Sequence, residues 1–238
     1  MLPTLYDTAK TADPGRYLVT YVETYLREEV IAEGLTRQAG AFARFLEAAS
    51  FSQGQVLNMC EVARECAVHR RVAENYFGIL DDLLLGVRLP VFEKRAQRRV
   101  IAHPKFYFFD VGVYRAARPC GPLDDPGPIE GAALESLVLQ ELRATNQNFG
   151  LGYDLYYWRT PGGMEVDFVL YGTRGVVAVE VKCKRRLTGH DLRGLRTFLA
   201  DYPMAKGYVF YGGDHPLHLD AITALPVADA LRRLPELL

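Results

Sequence analysis

Four cysteines in 238 residues, Cys60, Cys66, Cys120 and Cys183, are too few and too irregularly spaced for a disulfide framework or a metal-ligand pattern, which fits a reducing, cytoplasmic setting. No apolar run approaches the roughly 18–20 residues of a membrane span, and the start Met1-Leu2-Pro3 has no signal-peptide pattern. Charge of one sign is also missing. The 28 basic and 29 acidic residues leave a formal net charge of -1, so any nucleic-acid partner must be met by a local basic patch. Internal repeats and low-complexity tracts are absent. So is the phosphate-loop pattern Gly-x-x-x-x-Gly-Lys-Ser/Thr, since Lys10-Thr11 lacks the preceding glycines, and ATP hydrolysis cannot be placed on these residues. What remains, at 49% hydrophobic and 24% charged, is an ordinary globular chain with room for one large domain or two small ones.

The most informative stretch runs from Gly163 to Lys182. Two runs rich in β-branched and aromatic residues flank Gly172-Thr173-Arg174-Gly175, the pattern of an antiparallel hairpin. A symmetric turn pairs Gly172 with Gly175, and counting outward sets Asp167 opposite Glu180, with Cβ atoms roughly 4.5–5.5 Å apart. Alternation puts Lys182 on the face of Glu180, about 6.5–7 Å further along. Two opposed acids repel unless compensated, and a divalent cation with hard oxygen ligands, Mg²⁺ or Mn²⁺, is the natural compensation. The competing reading is a solvated strand face, or a structural lysine-carboxylate pair. Glu180, however, interrupts an apolar run from Val176 to Val181 that reads as a strand buried on both faces.

Elsewhere the pattern predicts an irregular leader and a helix over 16–33, together a segment 1–35, and a second helix over 37–50. Asn58 is placed to cap a short helix, with Glu61 as the reciprocal partner of a capping box. A longer helix over 69–84 ends before Gly86. Strands over 87–92 and 100–109 flank the basic tip Glu93 to Arg99. Two short helices and a hairpin with a cationic tip describe a winged helix-turn-helix over 36–115. His69, Arg70 and Arg71 would open its recognition helix, and Arg95, Arg98 and Arg99 would sit in its wing as further nucleic-acid contacts. A helical packing unit with solvated arginines, or a protein dock, has the same outline.

Residues 116–128 hold four prolines and two glycines and read as a linker. Beyond it, over 129–238, the predicted order is helix 129–145, strands 154–159, 164–171 and 176–184, helix 190–200 and strand 207–211, then a tail with a last short helix near 227–234. Glu135 shares a face of the first of these helices with Val138, Leu139 and Leu142, where an acid can reach the edge of a sheet. The fold class is therefore mixed α/β (α+β).

An αβββαβ order with Glu135 on the first helix, Asp167 on the second strand and Glu180-Val181-Lys182 on the third resembles the PD-(D/E)xK restriction-endonuclease-like superfamily, with Val166 where the eponymous proline stands. More narrowly, several strings in order are similar to the C-terminal family called domain of unknown function 4143. They are Pro104 to Gly112, Gly131 to Glu135, Tyr157-Trp158-Arg159-Thr160, Glu165 to Phe168, Glu180 to Lys182 and Leu192 to Leu195. Members of that family usually follow an AAA-type ATPase module, so the resemblance implies a C-terminal piece of a longer ATPase or a product without the motor.

It also implies a Mg²⁺-dependent DNA nuclease. Asp167, Glu180 and Glu135 would hold metal, Lys182 would act on the water and the phosphate, and Lys184, Arg185 and Arg186 would contact phosphates. Two alternatives stand beside it: a non-catalytic DNA-binding or protein-interaction module working with an absent ATPase domain, and a docking adaptor.

Overall fold

The structure, a computed structural model, describes residues 13–25, 28, 30, 39–93 and 103–238. By backbone contacts it divides into two units, Met1–Arg88 with His103–Pro126 and Leu89–Ala102 with Gly127–Leu238. It is mixed α/β, and among the described residues no helix is long and apolar enough to cross a membrane.

In the first unit, helix α1 (Pro14–Thr20) begins two residues before the expected 16, because proline fits the first helical turn, where no N–H is needed. The Asp13 carboxylate caps it, accepting from Arg16 N at 3.0 Å, and the chain passes into a π-helical turn at Tyr21–Tyr25. The rest of the expected first helix lies largely outside the described residues. Then come α2 (Ala39–Phe51), β1 (Gln55–Val56), α3 (Met59–Glu65), α4 (Arg70–Asp82), β2 (Gly86–Leu89), β3 (Lys105–Phe108) and α5 (Val111–Ala117). Asn58 does cap α3, accepting from Glu61 N at 3.3 Å. The Glu61 carboxylate returns to the Asn58 side-chain amide at 3.2 Å. The small sheet is ordered β1-β3-β2, so the two expected strands are neighbours joined by a two-residue strand too short to show a period. Residues 94–102, with Arg95, Arg98 and Arg99, lie outside the described residues.

Aromatic side chains hold this unit together. Phe45 meets Phe77 edge-on at 4.8 Å between centroids, and Phe77 meets Phe106 at 5.0 Å, linking α2, α4 and β3. Asp110 is fully buried and closes the start of α5, accepting from Gly112 N at 2.7 Å and Val113 N at 3.1 Å.

The second unit starts its long helix α6 at Pro126 and runs it to Asn148, three residues past either end of the predicted 129–145. Pro126 and Pro128 belong to its first turn, so part of the stretch read as linker is helix. After it come β4 (Tyr153–Arg159), β5 (Glu165–Gly172), β6 (Gly175–Lys182), a 3-10 turn Gly189–Leu192, α7 (Arg193–Asp201), β7 (Lys206–Tyr211), β8 (Leu217–Leu219), β9 (Ile222–Pro226), α8 (Val227–Arg232) and α9 (Leu234–Leu237). The sheet order is β4-β5-β6-β7-β9-β8. Strands β4, β5 and β6 are antiparallel, while β6, β7 and β9 run parallel. Strands β8 and β9 are absent from the sequence reading, the first being three residues long and the second ending on a proline.

On one face of this sheet Val169, Ala178 and Val209 pack with Leu195 and Phe198 of α7. The edge strand β4 receives one more segment. Phe92 N donates to Tyr157 O at 2.6 Å and Tyr157 N donates to Pro90 O at 2.9 Å, while the Phe92 ring meets Tyr156, Tyr171, Phe198 and Tyr202.

Candidate functional site

Between β5 and β6 the backbone ladder runs from Gly172↔Gly175 through Val169↔Ala178 to Phe168↔Val179, the register that the symmetric turn predicts. The sheet's irregularity falls beside the site: between Tyr156↔Val169 and Trp158↔Val166 two residues of β4 span three of β5, so the extra residue lies at Asp167–Phe168. Val169 and Ala178 face α7, and Glu180, two residues on from Ala178, shares that face by alternation, whereas the extra β5 residue breaks the alternation at Asp167, which is placed by its contacts. There the Asp167 carboxylate takes the place of a main-chain acceptor: Val181 N donates to its Oδ2 at 2.8 Å. Lys182, next on the Glu180 face, donates to Glu180 Oε1 at 2.5 Å.

Asp167 and Glu180 are both buried, at 6% and 7% exposure, and among the described residues Glu180 Oε2 meets no hydrogen-bond partner. Burial, and then the charge of Asp167, raise the Glu180 carboxyl above the usual carboxylate range against the opposing pull of Lys182. For Lys182 burial works against the charged form, but the carboxylates of Asp167, Glu180 and Glu135 outweigh it and hold the ammonium. Glu135, half-buried on α6, thus acts on both groups electrostatically. Two adjacent carboxylates, one with an unsatisfied oxygen, suit a magnesium-sized cation whose remaining ligands are waters and phosphate oxygens. They do not close a three-ligand protein cage, because among the described residues no three His, Cys, Asp or Glu side chains come together to hold a metal.

The patch opens into a cleft of about 610 Å³, walled by Glu180, Lys182, Lys184, Asp191, Arg193 and the turn Gly162–Gly163. Asp191 anchors the far wall. Its Oδ2 accepts from Thr188 N at 2.8 Å and Thr188 Oγ1 at 2.7 Å, while Oδ1 meets Lys184 Nζ at 2.6 Å. Burial alone would raise its pKa, yet these donors hold the carboxyl at about 2. A close approach sets the position of α7: a Cβ on Gly194 would lie 2.0 Å from Glu165 O, so only glycine lets the helix start against β5. Gly212 does the same beside β6, bonding to Lys182 O and Lys184 O.

Of the remaining residues singled out from sequence, Arg185 is paired with Asp214 and Arg186 is exposed. In the first unit His69 precedes α4 without a side-chain cap, Arg71 is exposed, and Arg70 is tied to Glu74 at 2.8 Å. Sequence reasoning missed Asp191 and Arg193. The string Thr188-x-x-Asp191 is a capping-box signature that could have exposed the first, whereas an arginine opening an amphipathic helix has no such mark.

Residues 2–124 match the family described as Domain of unknown function (DUF8612), and residues 130–230 match that described as Domain of unknown function (DUF4143). Over 236 residues the chain is 27% identical to Uncharacterized protein Rv2008c of Mycobacterium tuberculosis and to Uncharacterized protein Mb2031c of Mycobacterium bovis. The match covers 97% of this chain and 52% of each relative, so the chain spans about half the length of the curated relatives it matches.

Proposed function

This chain belongs to the family described as Domain of unknown function (DUF8612), and we propose that its second unit is a metal-dependent DNA nuclease of the PD-(D/E)xK kind. One observation carries the reading: Asp167, Glu180 and Lys182 converge at the end of an otherwise apolar hairpin, with a buried carboxylate oxygen left unsatisfied at a cleft. Buried acids of this sort weaken a fold unless they have a ligand.

In this reading Asp167 and Glu180 hold Mg²⁺ or Mn²⁺, with Glu135 adding negative charge from α6. A cation bound there would polarise the scissile phosphodiester and make water a better nucleophile. Lys182, kept as an ammonium, donates to a phosphate oxygen and offsets the charge that grows on it, rather than taking a proton from water. Hydrolysis consumes one water: its oxygen bonds to phosphorus, one P–O ester bond breaks, and a proton ends on the departing oxygen. In the same reading α3, the turn after it, α4 and the pair β2/β3 form a winged helix-turn-helix that brings DNA to the protein, and an ATPase partner works with both.

One observation favours the non-catalytic alternative. Lys182 already neutralises Glu180, so the patch can persist as an internal ion pair on a scaffold. Cleavage assays on single-stranded, duplex and branched DNA with Mg²⁺ and Mn²⁺ decide between them. Asp167→Asn should abolish metal binding by calorimetry together with cleavage, while Lys182→Ala should spare binding and lower the rate by roughly 10²–10⁴. If the parent shows no metal-dependent cleavage that Asp167→Asn removes, the scaffold reading takes its place.

A further inference from the structure

We infer that Arg193 is the phosphate anchor of the cleft, seating the nonbridging oxygens of a nucleic-acid phosphodiester next to the one presented to Glu180 and Lys182. The inference rests on the nucleic-acid reading of this cleft, though not on its cutting anything. The cations around the cleft differ in what they already hold. Lys182 is bound to Glu180 at 2.5 Å, Lys184 to the buried Asp191 at 2.6 Å, and Arg159, at the strand end nearby, to Glu165 at 3.7 Å. Arg185 is paired with Asp214, and Arg186 pairs with no other described side chain but takes no part in the cleft wall. Arg193 lines the cleft, is exposed, and pairs with no other described side chain.

Its position has no local justification. Arg193 is the first residue of α7, where no side chain caps the helix and no acid stands in the first turn, and a cation at a helix N-terminus opposes the helix dipole. An anion there would relieve both charges at once. Its location is also fixed, because Gly194 is pressed against the Glu165 backbone and leaves α7 no freedom to carry the arginine away. An arginine presents a planar fork that fits two phosphate oxygens, which a lysine cannot do. On the opposite wall the unsatisfied Glu180 oxygen independently marks the cleft as built for a ligand. A strand that met Arg193 with one phosphate would pass the next along the cleft toward Glu180 and Lys182.

The test is binding without chemistry. A fluorescein-labelled single-stranded oligonucleotide is titrated in EDTA across a KCl series and followed by anisotropy, with parent, Arg193→Gln and Arg196→Gln. Arg193→Gln should weaken binding about tenfold at low salt and lower the slope of log affinity against log salt by about 0.7, one phosphate contact on a single strand. Arg196→Gln removes a cation of the same helix that is already paired with Asp220 and lies outside the cleft wall, and should change neither. Equal melting curves for the variants exclude loss of fold.

An Arg193→Gln protein that binds like the parent overturns the inference. So does an equal loss in Arg196→Gln, which would make the effect one of overall charge, and so does a parent that binds no oligonucleotide. Inorganic phosphate, matched in ionic strength to chloride, should displace no more strand than chloride does. Complete displacement would make this a seat for free phosphate and overturn the strand assignment. A protein that binds through Arg193 yet never cleaves keeps this inference and loses the nuclease, whereas metal-dependent cleavage that is indifferent to Arg193 does the reverse.

Discussion

Asp110 in the first unit and Glu180 in the second are both buried carboxylates, at 0% and 7% exposure. Asp110 Oδ1 serves the fold directly, accepting from Gly112 N and Val113 N, two N–H groups at the start of α5 that the helix itself leaves without acceptors. Glu180 serves no main-chain group. It meets one lysine, faces a second acid, and lies beside a cleft. The first acid is where folding needs it; the second is where folding would rather not have it, and that asymmetry points to a ligand.

The contrast can be pressed by mutation. The largest effect on stability should come from Gly194→Ala, whose methyl would strike the backbone of Glu165. Overpacking against main chain should cost about 3 kcal/mol in chemical denaturation and should also spoil the cleft wall. A variant as stable as the parent would mean that α7 is free to slide, and the cleft would then have no fixed geometry. Asp110→Ala should cost about 2 kcal/mol by losing a cap and leaving buried N–H groups without an acceptor. Glu180→Gln should shift stability by less than about 1 kcal/mol in either direction, because it weakens the Lys182 pair while removing a like charge opposite Asp167. Should Glu180→Gln destabilise as much as Asp110→Ala, Glu180 is a structural residue and the contrast fails.

The smallest effect, and the most diagnostic in sign, is that of pH. Asp191 is a third case, a buried acid with every partner supplied. Its carboxyl is held at about 2, below the ordinary carboxylate value. Its contribution to stability is therefore complete above the ordinary value near pH 4 and is lost as pH falls toward about 2. Glu180 has the opposite sign: a raised carboxyl favours the folded state at low pH, and that advantage drains away as pH rises above the ordinary range. Urea midpoints measured against pH should show Asp191→Asn with a flattened acid limb, and Glu180→Gln with a flatter approach to alkaline pH. An Asp191→Asn acid limb as steep as that of the parent would show that Asp191 is not held by Lys184 and Thr188.

Much of this was legible in the chain. The hairpin register could be counted as far as Phe168↔Val179 because its turn is symmetric and both strands are long and apolar, but the extra β5 residue at Asp167–Phe168, where simple alternation stops, left no mark in the sequence. The order of elements in the second unit was readable because each helix and long strand has its own period. Helix starts were hidden where proline stands at the first turn, since Pro14 and Pro126 look like chain breaks until one asks whether an N–H is needed there. Strands β8 and β9 were hidden by brevity. The ion pairs that occupy Lys184 and Arg185 join residues 7 and 29 positions apart across loops, beyond any local pattern. Arg193 stood out only once its neighbours were found to be taken.

The pairing of Pro90 and Phe92 with Tyr157 has a practical bearing on how this protein can be dissected. The segment that completes the edge of the large sheet precedes β3 in the chain, so the second unit is discontinuous in sequence. A fragment started in the proline-rich stretch before α6 would keep every residue of the cleft and yet leave the β4 main chain bare at Tyr157, with a vacant socket among Tyr156, Tyr171, Phe198 and Tyr202 where the Phe92 ring belongs. Bare strand edges beside exposed aromatics invite self-association. The sound way to isolate this unit is therefore a rearranged gene, with residues 89–93 grafted by a flexible linker ahead of 127–238, rather than a truncation.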